Sequence, residues 1–248
     1  MHIRMLKTSL AVLFLSMSSF VNAGLLDLNT WTPTSGGTWT VDGTGTSVLQ
    51  TINGDPTFFL SDSNYIDSIF EGSFGVETTS DDDYIGFAFG YNNSNNFLLF
   101  DWKQGTQNHA WGYAPSGFTL SKTSGPNVNY WDHTGSDITV LASNYDPSNG
   151  WADNTVYDFT LDFTTTGIKI GIDGTNIFDV SGSFNTGKFG FYNYSQSQVR
   201  YAGFEEEVSP SVPEPSSIAI LALGIILLVS SRVIVLKKIR NNEFQTSL

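Results

Sequence analysis

Short strand-type segments fill most of this 248-residue chain between Thr30 and Val208. They are rich in Val, Ile, Thr, Phe and Tyr, and they are separated by Gly, Asn, Asp, Ser and Pro, a pattern typical of β-strands and turns. No amphipathic helix of useful length interrupts them. The predicted strands are 37–41, 47–51, 57–60, 69–77, 84–91, 96–102, 136–143, 156–164, 167–172, 175–180, 187–195 and 199–208. About a dozen strands in one domain of this length predict an all-β sandwich.

The residue pattern inside these segments indicates sheets with one buried and one solvated face. In the segment 156–164, apolar and polar residues alternate, as expected when successive side chains point to opposite faces. Asp173-Gly174 lies between two alternating segments and predicts a tight hairpin, because such a turn needs positive φ angles. The segment 105–129 is the least regular, and we expect loops or short strands there.

Both ends of the chain carry targeting patterns. Residues 1–23 combine basic residues, an apolar run and small residues up to Ala23, which predicts a secretory signal peptide cleaved after Ala23. An apolar stretch at about 217–236 is long enough to cross a bilayer, and the basic residues after it predict a cytoplasmic tail. A buried core helix is the alternative for this stretch, although it would not carry basic residues at one end only. The exported domain is therefore predicted to span residues 24–210.

The predicted exported domain is strongly acidic. It contains 22 Asp and Glu residues against five Lys and Arg residues, a net charge of −17. Nucleic-acid binding requires a basic face, so this class of partner is excluded, whereas calcium, neutral glycans or a basic partner are compatible. The chain has no cysteine, so it cannot form disulfides, thiol nucleophiles or Cys-based metal sites.

Three adjacent carboxylates, Asp81, Asp82 and Asp83, lead directly into the predicted strand 84–91. Neighbouring like charges repel one another unless a cation is held among them, and no Lys or Arg occurs between Glu71 and Lys103. Ca²⁺ is the natural candidate, because it accepts about six to eight oxygen ligands in irregular geometry. A solvated acidic turn that protects a sheet edge is the alternative.

Aromatic residues in the loop-rich middle of the chain are the remaining candidates for ligand binding. Trp111 and Tyr113 have no alternating strand around them, so we predict an exposed pair on which a sugar ring could stack. Core packing is the expectation for most of the other aromatic residues in this region. For His133 we expect a structural hydrogen bond rather than a functional role, because no catalytic or metal-binding pattern surrounds it.

The segment DDDYIGFAFGYNNSNNFLLFDWKQ resembles part of the C-terminal lectin-like domain of the thrombospondins and of cartilage oligomeric matrix protein. The likeness extends upstream through WTVDGTGTSVLQTINGDPTFF and downstream through WDHTG, NYDPSNGWADNTVYDFTLDF and GKFGFYNYSQSQVRYAGFEEE. It implies a concanavalin-like jelly-roll β-sandwich that binds calcium and serves extracellular interactions without known catalysis.

Carried over residue by residue, the resemblance places the calcium ligands at Asp81, Asp82 and Asp83, with Asp101 as a neighbour. The thrombospondin domain follows an array of calcium-binding repeats and carries a cysteine, and this sequence contains neither. Any calcium site here must therefore be completed by the sandwich itself or by a partner.

The tail VPEPSSIAILALGIILLVSSRV, within residues 211–248, resembles the PEP-CTERM sorting signal of Gram-negative bacteria that produce exopolysaccharide. The resemblance implies that an exosortase-type processing enzyme recognises Pro213, Glu214 and Pro215, after which the domain is released or attached at the cell surface. The two prolines keep this segment extended, as a processing enzyme requires. A stalk before a membrane anchor is the alternative.

These observations predict an exported, calcium-binding, lectin-like module without enzymatic activity. Its expected role is adhesion or a place in the extracellular, exopolysaccharide-associated matrix, with a glycan or a surface protein as partner. One alternative is a glycan-active enzyme of the same fold, which would need two carboxylates about 5–10 Å apart on an inner strand face. No Glu-x-Asp-x-Glu pattern is present, and 205–207 is interpreted as a solvated edge. The other alternative is a structural matrix protein that binds neither calcium nor sugar.

Overall fold

The computed structural model describes the backbone of residues 24–208 and the side chains of residues 26–203. The chain forms strands β1 (Gly24–Leu25), β2 (Thr32–Pro33), β3 (Trp39–Val41), β4 (Ser47–Gln50), β5 (Thr57–Tyr65), β6 (Ser68–Val76), β7 (Tyr84–Asn93), β8 (Asn96–Lys103), β9 (Gln107–His109), β10 (Gly112–Ala114), β11 (Gly117–Thr123), β12 (Ile138–Tyr145), β13 (Val156–Phe163), β14 (Gly167–Ile172), β15 (Thr175–Ser181), β16 (Gly187–Tyr194) and β17 (Val199–Val208). Two short 3-10 helices, η1 (Leu28–Thr30) and η2 (Pro147–Asn149), complete the described elements.

Two antiparallel sheets form the body of the domain. One has the strand order β15-β14-β13-β6-β17-β4-β3, with β1 paired to β17, and the other has the order β12-β11-β8-β7-β16-β5-β2. The hairpin of β9 and β10 is separate from both sheets. This arrangement confirms the prediction of an all-β sandwich.

The main core lies between the two sheets and is dominated by aromatic rings. Strand β7 shows how the sequence builds it, because Ile85, Phe87 and Phe89 are fully buried in this core. The residues between them are small, and Ala88 belongs instead to a second buried cluster with Tyr84 and Trp131. The alternation of large and small residues in β7 thus separates two buried faces, since successive side chains of a strand point in opposite directions.

The second cluster shows that another part of the chain covers the outer face of the seven-stranded sheet. It joins residues of β5, β7, β8 and β16 to Ala114 of β10 and to Trp131. The segment that follows β8 therefore packs back onto the sheet and shields it from water. As a result, Asp101 and Lys103 of β8 have no exposed surface, although both are charged residue types.

All twelve predicted strands are present, with small differences at their ends. The hairpin prediction is also confirmed, because Asp173 and Gly174 have φ angles of 48° and 72°. The prediction for the segment 105–129 was right for the short strands β9 and β10 and wrong for β11. That strand has seven residues and pairs with both β8 and β12.

The predicted signal peptide with its cleavage at Ala23, the sorting motif at Pro213, Glu214 and Pro215, and the span at about 217–236 all lie outside the described residues. Within residues 24–208, no helix has the length and apolar character needed to cross a membrane.

Candidate metal site and aromatic cleft

The loop that carries the acidic run is held in place by hydrogen bonds from three other parts of the chain. Gln196 Oε1 accepts a hydrogen bond from the backbone N–H of Asp83 at 3.0 Å, and Trp151 Nε1 donates to the backbone carbonyl of Asp83, also at 3.0 Å. The carbonyl of Asp82 accepts from the backbone N–H groups of Gln104 and Gly105. Both polar backbone groups of Asp83 are thus satisfied away from water, and the loop position is strongly restrained.

The structure brings the three predicted carboxylates together. Oxygen atoms of Asp81, Asp82 and Asp83 lie within 4.8 Å of one another. Partial burial and the nearby charge of Asp83 raise the pKa of Asp81 to about 6. Asp82 Oδ1 is shielded from solvent and has no hydrogen-bond partner among the described residues. Asn53 donates a hydrogen bond to Asp81 at the outer side of the group.

The expectation that these anions are uncompensated is corrected by Lys103. Its ammonium group donates to Asp83 Oδ1 at 2.6 Å and to the carbonyl oxygen of Asp82 at 3.1 Å, and it lies 3.6 Å from Asp82 Oδ1. Lys103 is fully buried and also lies 4.9 Å from the ring centre of Trp131. A protein cation therefore neutralises part of the acidic group, and Asp83 in particular is already paired.

The remaining oxygen atoms fit a cation at the outer part of the group. Among the described residues, Asp81 has no basic side chain within ion-pair distance, and Asp82 has only the long 3.6 Å contact with Lys103. Carboxylates on a restrained loop are the donors that Ca²⁺ prefers. Partial burial and the charge of Asp83 raise the pKa of Asp81, and a bound cation would favour its anionic form. Asp81 and Asp82 would thus be the principal ligands, with Asp83 shared with Lys103.

Asp101 lies outside this group. Its Oδ2 atom is hydrogen bonded to Nε2 of His133 at 2.8 Å, and both side chains are buried. His133 has a φ of 55°, so a strained loop residue is held against strand β8 by this bond. The structure therefore gives His133 the structural hydrogen bond that was expected, and it places Asp101 in that pair rather than among the acidic-loop carboxylates.

An open cleft of about 560 Å³ lies beside the acidic loop, and we refer to it as the aromatic cleft. Its lining consists of Asp83, Thr106, Gln107, Asn108, His109, Trp111, Trp131 and Ser195. Trp111 and Tyr113 are 56% and 59% exposed, so the predicted exposure of both is confirmed. Only Trp111 lines the cleft, because Tyr113 lies on the next strand and is not part of its wall.

The indole of Trp111 is held in position by its neighbours. Its ring centre lies 4.4 Å from that of His109 and 5.8 Å from that of Trp131, with an angle of 77° between the two indole planes. Asn129 Nδ2 donates to the carbonyl of Trp111 at 2.6 Å, and Trp131 Nε1 donates to the carbonyl of Gly112 at 3.1 Å. The exposed ring is therefore fixed at the end of the β9–β10 hairpin.

Sequence reasoning missed Lys103, His109, Gln107 and Trp131 as parts of the site. Lys103 is twenty positions away from Asp83, and its role depends on the pairing of β7 with β8, in which Tyr84 lies opposite Lys103. The spacing of Asp101 and Lys103, two residues apart in a strand, was a usable signal, because it places two charged side chains on one face.

Comparison with known proteins gives one family and a group of relatives. The family model for the thrombospondin C-terminal region matches residues 34–209. Thrombospondin-2 of Gallus gallus is 31% identical over 195 residues, which are 68% of this chain and 16% of that protein. Cartilage oligomeric matrix protein of Bos taurus is 30% identical over 202 residues, which are 71% of this chain and 26% of that protein. The chain thus spans about a quarter or less of the length of these relatives.

Two solved structures share the fold at low sequence identity. The carbohydrate binding module CBM66 from Bacillus subtilis has a TM-score of 0.52 and 16% identity, covering 72% of this chain and 95% of that chain. A protein of unknown function with a galectin-like fold, also from Bacillus subtilis, has a TM-score of 0.50 and 14% identity, covering 73% of this chain and 90% of that chain. The two-sheet sandwich is therefore of the galectin- or concanavalin-like type.

Proposed function

Because this chain belongs to the thrombospondin C-terminal region family, we propose that it is an exported, calcium-binding, lectin-like module that acts in adhesion or in an extracellular matrix. The observation that carries the proposal is the restrained acidic loop, in which Asp81 has no basic partner among the described residues and Asp82 has only a 3.6 Å contact with Lys103. The pKa of Asp81 is raised to about 6 there. A fold neighbour that is named a carbohydrate binding module is consistent with the lectin-like part of the proposal.

Calcium has a structural role in this proposal. Bound at Asp81 and Asp82, it would relieve repulsion within the acidic loop and so stabilise the surface next to the aromatic cleft. We propose no catalytic role for the protein. A glycan-active enzyme and a matrix protein that binds neither calcium nor sugar are the competing functions.

The cellular context of the proposal comes from the two chain ends. We propose that the signal at 1–23 directs export, and that an exosortase-type enzyme acts at Pro213, Glu214 and Pro215. The domain would then be released or held at the surface of a Gram-negative bacterium, in contact with exopolysaccharide or a surface protein. The animal relatives are much longer proteins, so their specific partners are not transferred to this chain.

The test is thermal unfolding of the full-length protein with calcium and with chelator, in the wild type and in the Asp81→Asn variant. At a calcium concentration of about one hundred times Kd, the wild type should gain about 2.7 kcal/mol, or several degrees in Tm. Asp81→Asn should lose most of this shift and should melt at a higher temperature than the wild type in chelator, because it removes one repelling charge. Asp81 suits this test better than Asp83, whose removal would leave Lys103 without its partner.

The control is Asp62→Asn, which removes one exposed carboxylate from β5 outside the acidic group. This variant should keep the full calcium shift. The shift in the wild type should also shrink as the pH falls from 7.5 to 5, because Asp81, with a pKa of about 6, becomes protonated in this range. Equal melting temperatures with calcium and with chelator at pH 7.5 would refute calcium binding and favour the structural matrix protein.

A further inference from the structure

The aromatic cleft carries an inference that deepens the proposed function and rests on its lectin-like part. We propose that this cleft binds a neutral hexopyranose unit of a polysaccharide, with Trp111 as the stacking platform.

The aromatic rings form a preorganised corner. Trp111 is exposed over 56% of its surface, while Trp131, at 77° to it, is only 3% exposed and serves as a wall. The Trp111 ring packs against His109, and Asn129 restrains the backbone of Trp111, so less rotamer entropy is lost when a ligand stacks on this ring than on a free one. A pyranose ring presents a flat face of C–H groups, and such a face fits a fixed indole.

The hydrogen-bonding groups of the lining are those that hydroxyl groups require. Gln107 Oε1 accepts a hydrogen bond from the ammonium of Lys103 at 2.8 Å. An ammonium only donates, so this bond fixes the amide orientation and leaves the NH₂ group of Gln107 as a donor. Asn108 is exposed and offers a second planar amide, and Ser195 contributes a hydroxyl group.

The same lining argues against an amphipathic helix as the ligand. No aliphatic side chain contributes to the described cleft wall, so it lacks the aliphatic anchor pockets that a helix bound in a groove uses. The volume of about 560 Å³ lies within the range of roughly 300–1,000 Å³ that is usual for small-molecule sites. Since the cleft is open, the sugar unit can belong to a longer chain.

The charge around the cleft selects a neutral sugar. Asp83 lines the cleft but is paired with Lys103, so the lining itself is close to neutral. In the calcium-free protein, Asp81 and Asp82, whose carboxylate oxygens lie within 4.8 Å of an oxygen of Asp83, would repel a uronic acid or a sulfated sugar. An uncharged hexose is not repelled by these carboxylates, and it needs no charge partner when it is bound.

The test is affinity electrophoresis of the full-length protein, with chelator present, through gels containing laminarin, galactomannan or alginate. The protein is kept in a detergent whose headgroup is not a sugar, so that the detergent cannot occupy the cleft. The two neutral polymers probe gluco- and galacto-/manno-configured units, and alginate is the anionic comparison. We expect retardation by at least one neutral polymer, and a weaker effect or none with alginate.

The variant Trp111→Ala should weaken binding to that polymer by roughly tenfold or more, as expected for a central aromatic anchor. Its matched control is Tyr113→Ala, which removes an equally exposed aromatic residue of the same hairpin from outside the cleft. Tyr113→Ala should bind as the wild type does. Both variants should show the wild-type Tm, because both side chains are largely exposed.

Three results would overturn this inference: no retardation by either neutral polymer, equal binding by Trp111→Ala and the wild type, or a preference for alginate. The calcium shift measured on the same wild-type protein separates this inference from the proposed function. A normal calcium shift without sugar binding removes the aromatic cleft as a sugar site and leaves the calcium-binding module intact. Sugar binding without a calcium shift leaves the cleft intact and removes the metal.

Discussion

At the scale of single residues, Lys103 joins the acidic loop to the aromatic cleft. Its one ammonium group contacts Asp83 of the loop and Gln107 of the cleft, and it lies between the rings of Tyr84 and Trp131 at 5.2 Å and 4.9 Å. A buried cation with three hydrogen bonds and two aromatic neighbours is well compensated. The two candidate sites therefore share a structural component, and we expect a substitution of this residue to affect both.

The variant Lys103→Met should be destabilised by about 3–5 kcal/mol, because it leaves the buried carboxylate of Asp83 without its partner. Chemical denaturation in chelator measures this loss. The control is Lys122→Met, which replaces an exposed lysine of β11 and should change the free energy of unfolding by less than about 0.5 kcal/mol. Calcium should stabilise Lys103→Met more than the wild type, since the metal then supplies the missing charge. A loss no larger than that of the control would show that the pair contributes little.

At the scale of elements, the pairing of β7 with β8 decides which residues form the site. Near the turn Asn93 pairs with Asn96, and continued evenly this register would place Gly86 opposite Lys103. An irregularity between Phe89 and Asn93 shifts the register by two residues, so that Tyr84 lies opposite Lys103 and the ammonium reaches Asp83. The sequence pattern locates both strands, but no feature of it predicts this shift, and Lys103 was therefore missed.

The strand β11 was missed for a related reason. Its polar residues Thr119, Ser121 and Thr123 are buried, because β11 lies inside the sheet and one of its faces is covered by the segment after β8. Polar residues alternating with apolar ones mark a solvated face only where one face of the sheet meets water, which is not the case for β11. The sandwich and the acidic run could be predicted from local patterns. The packing of the segment after β8 onto the sheet, and the aromatic cleft, depend on contacts between distant segments.

Gly86 is the residue on which the close approach of β7 and β8 depends. A Cβ atom at this position would lie 2.1 Å from the backbone carbonyl oxygen of Phe100, and its φ is 158°. Gly86→Ala should therefore push the two strands apart and cost about 1–3 kcal/mol, measured by chemical denaturation. Gly43→Ala is the control, because a Cβ there meets nothing within 4 Å. A Gly86→Ala variant as stable as Gly43→Ala would mean that the strands adjust without cost.

The same variant reports on function. Asp83 directly precedes β7, and Lys103 ends β8, where it lies opposite Tyr84 of β7. We expect Gly86→Ala to weaken the calcium shift as well as the fold, since the distance between the acidic loop and its cation changes.

At the scale of the whole molecule, the excess of negative charge acts on the fold independently of any specific site. Residues 24–210 carry a net charge of −17, a value that already includes all five basic residues, so ion pairs such as Arg200 with Glu77 leave it unchanged. Self-repulsion of this kind destabilises a compact state and is weakened by salt, because the Debye length falls from about 30 Å at 0.01 M to about 10 Å at 0.1 M.

The Tm of the chelator-treated protein should therefore rise when NaCl is increased from 0.01 to 0.1 M, and the rise should level off at higher concentrations. Calcium should add a further rise at a constant ionic strength of 0.1 M, where NaCl replaces any omitted CaCl₂, because coordination by Asp81 and Asp82 is not a screening effect. The Asp81→Asn variant should keep the response to NaCl and lose the response to calcium. If calcium at constant ionic strength has no effect in the wild type, its apparent stabilisation at low salt is screening alone. A Tm that does not change with NaCl would show that the acidic residues are too dispersed to repel one another.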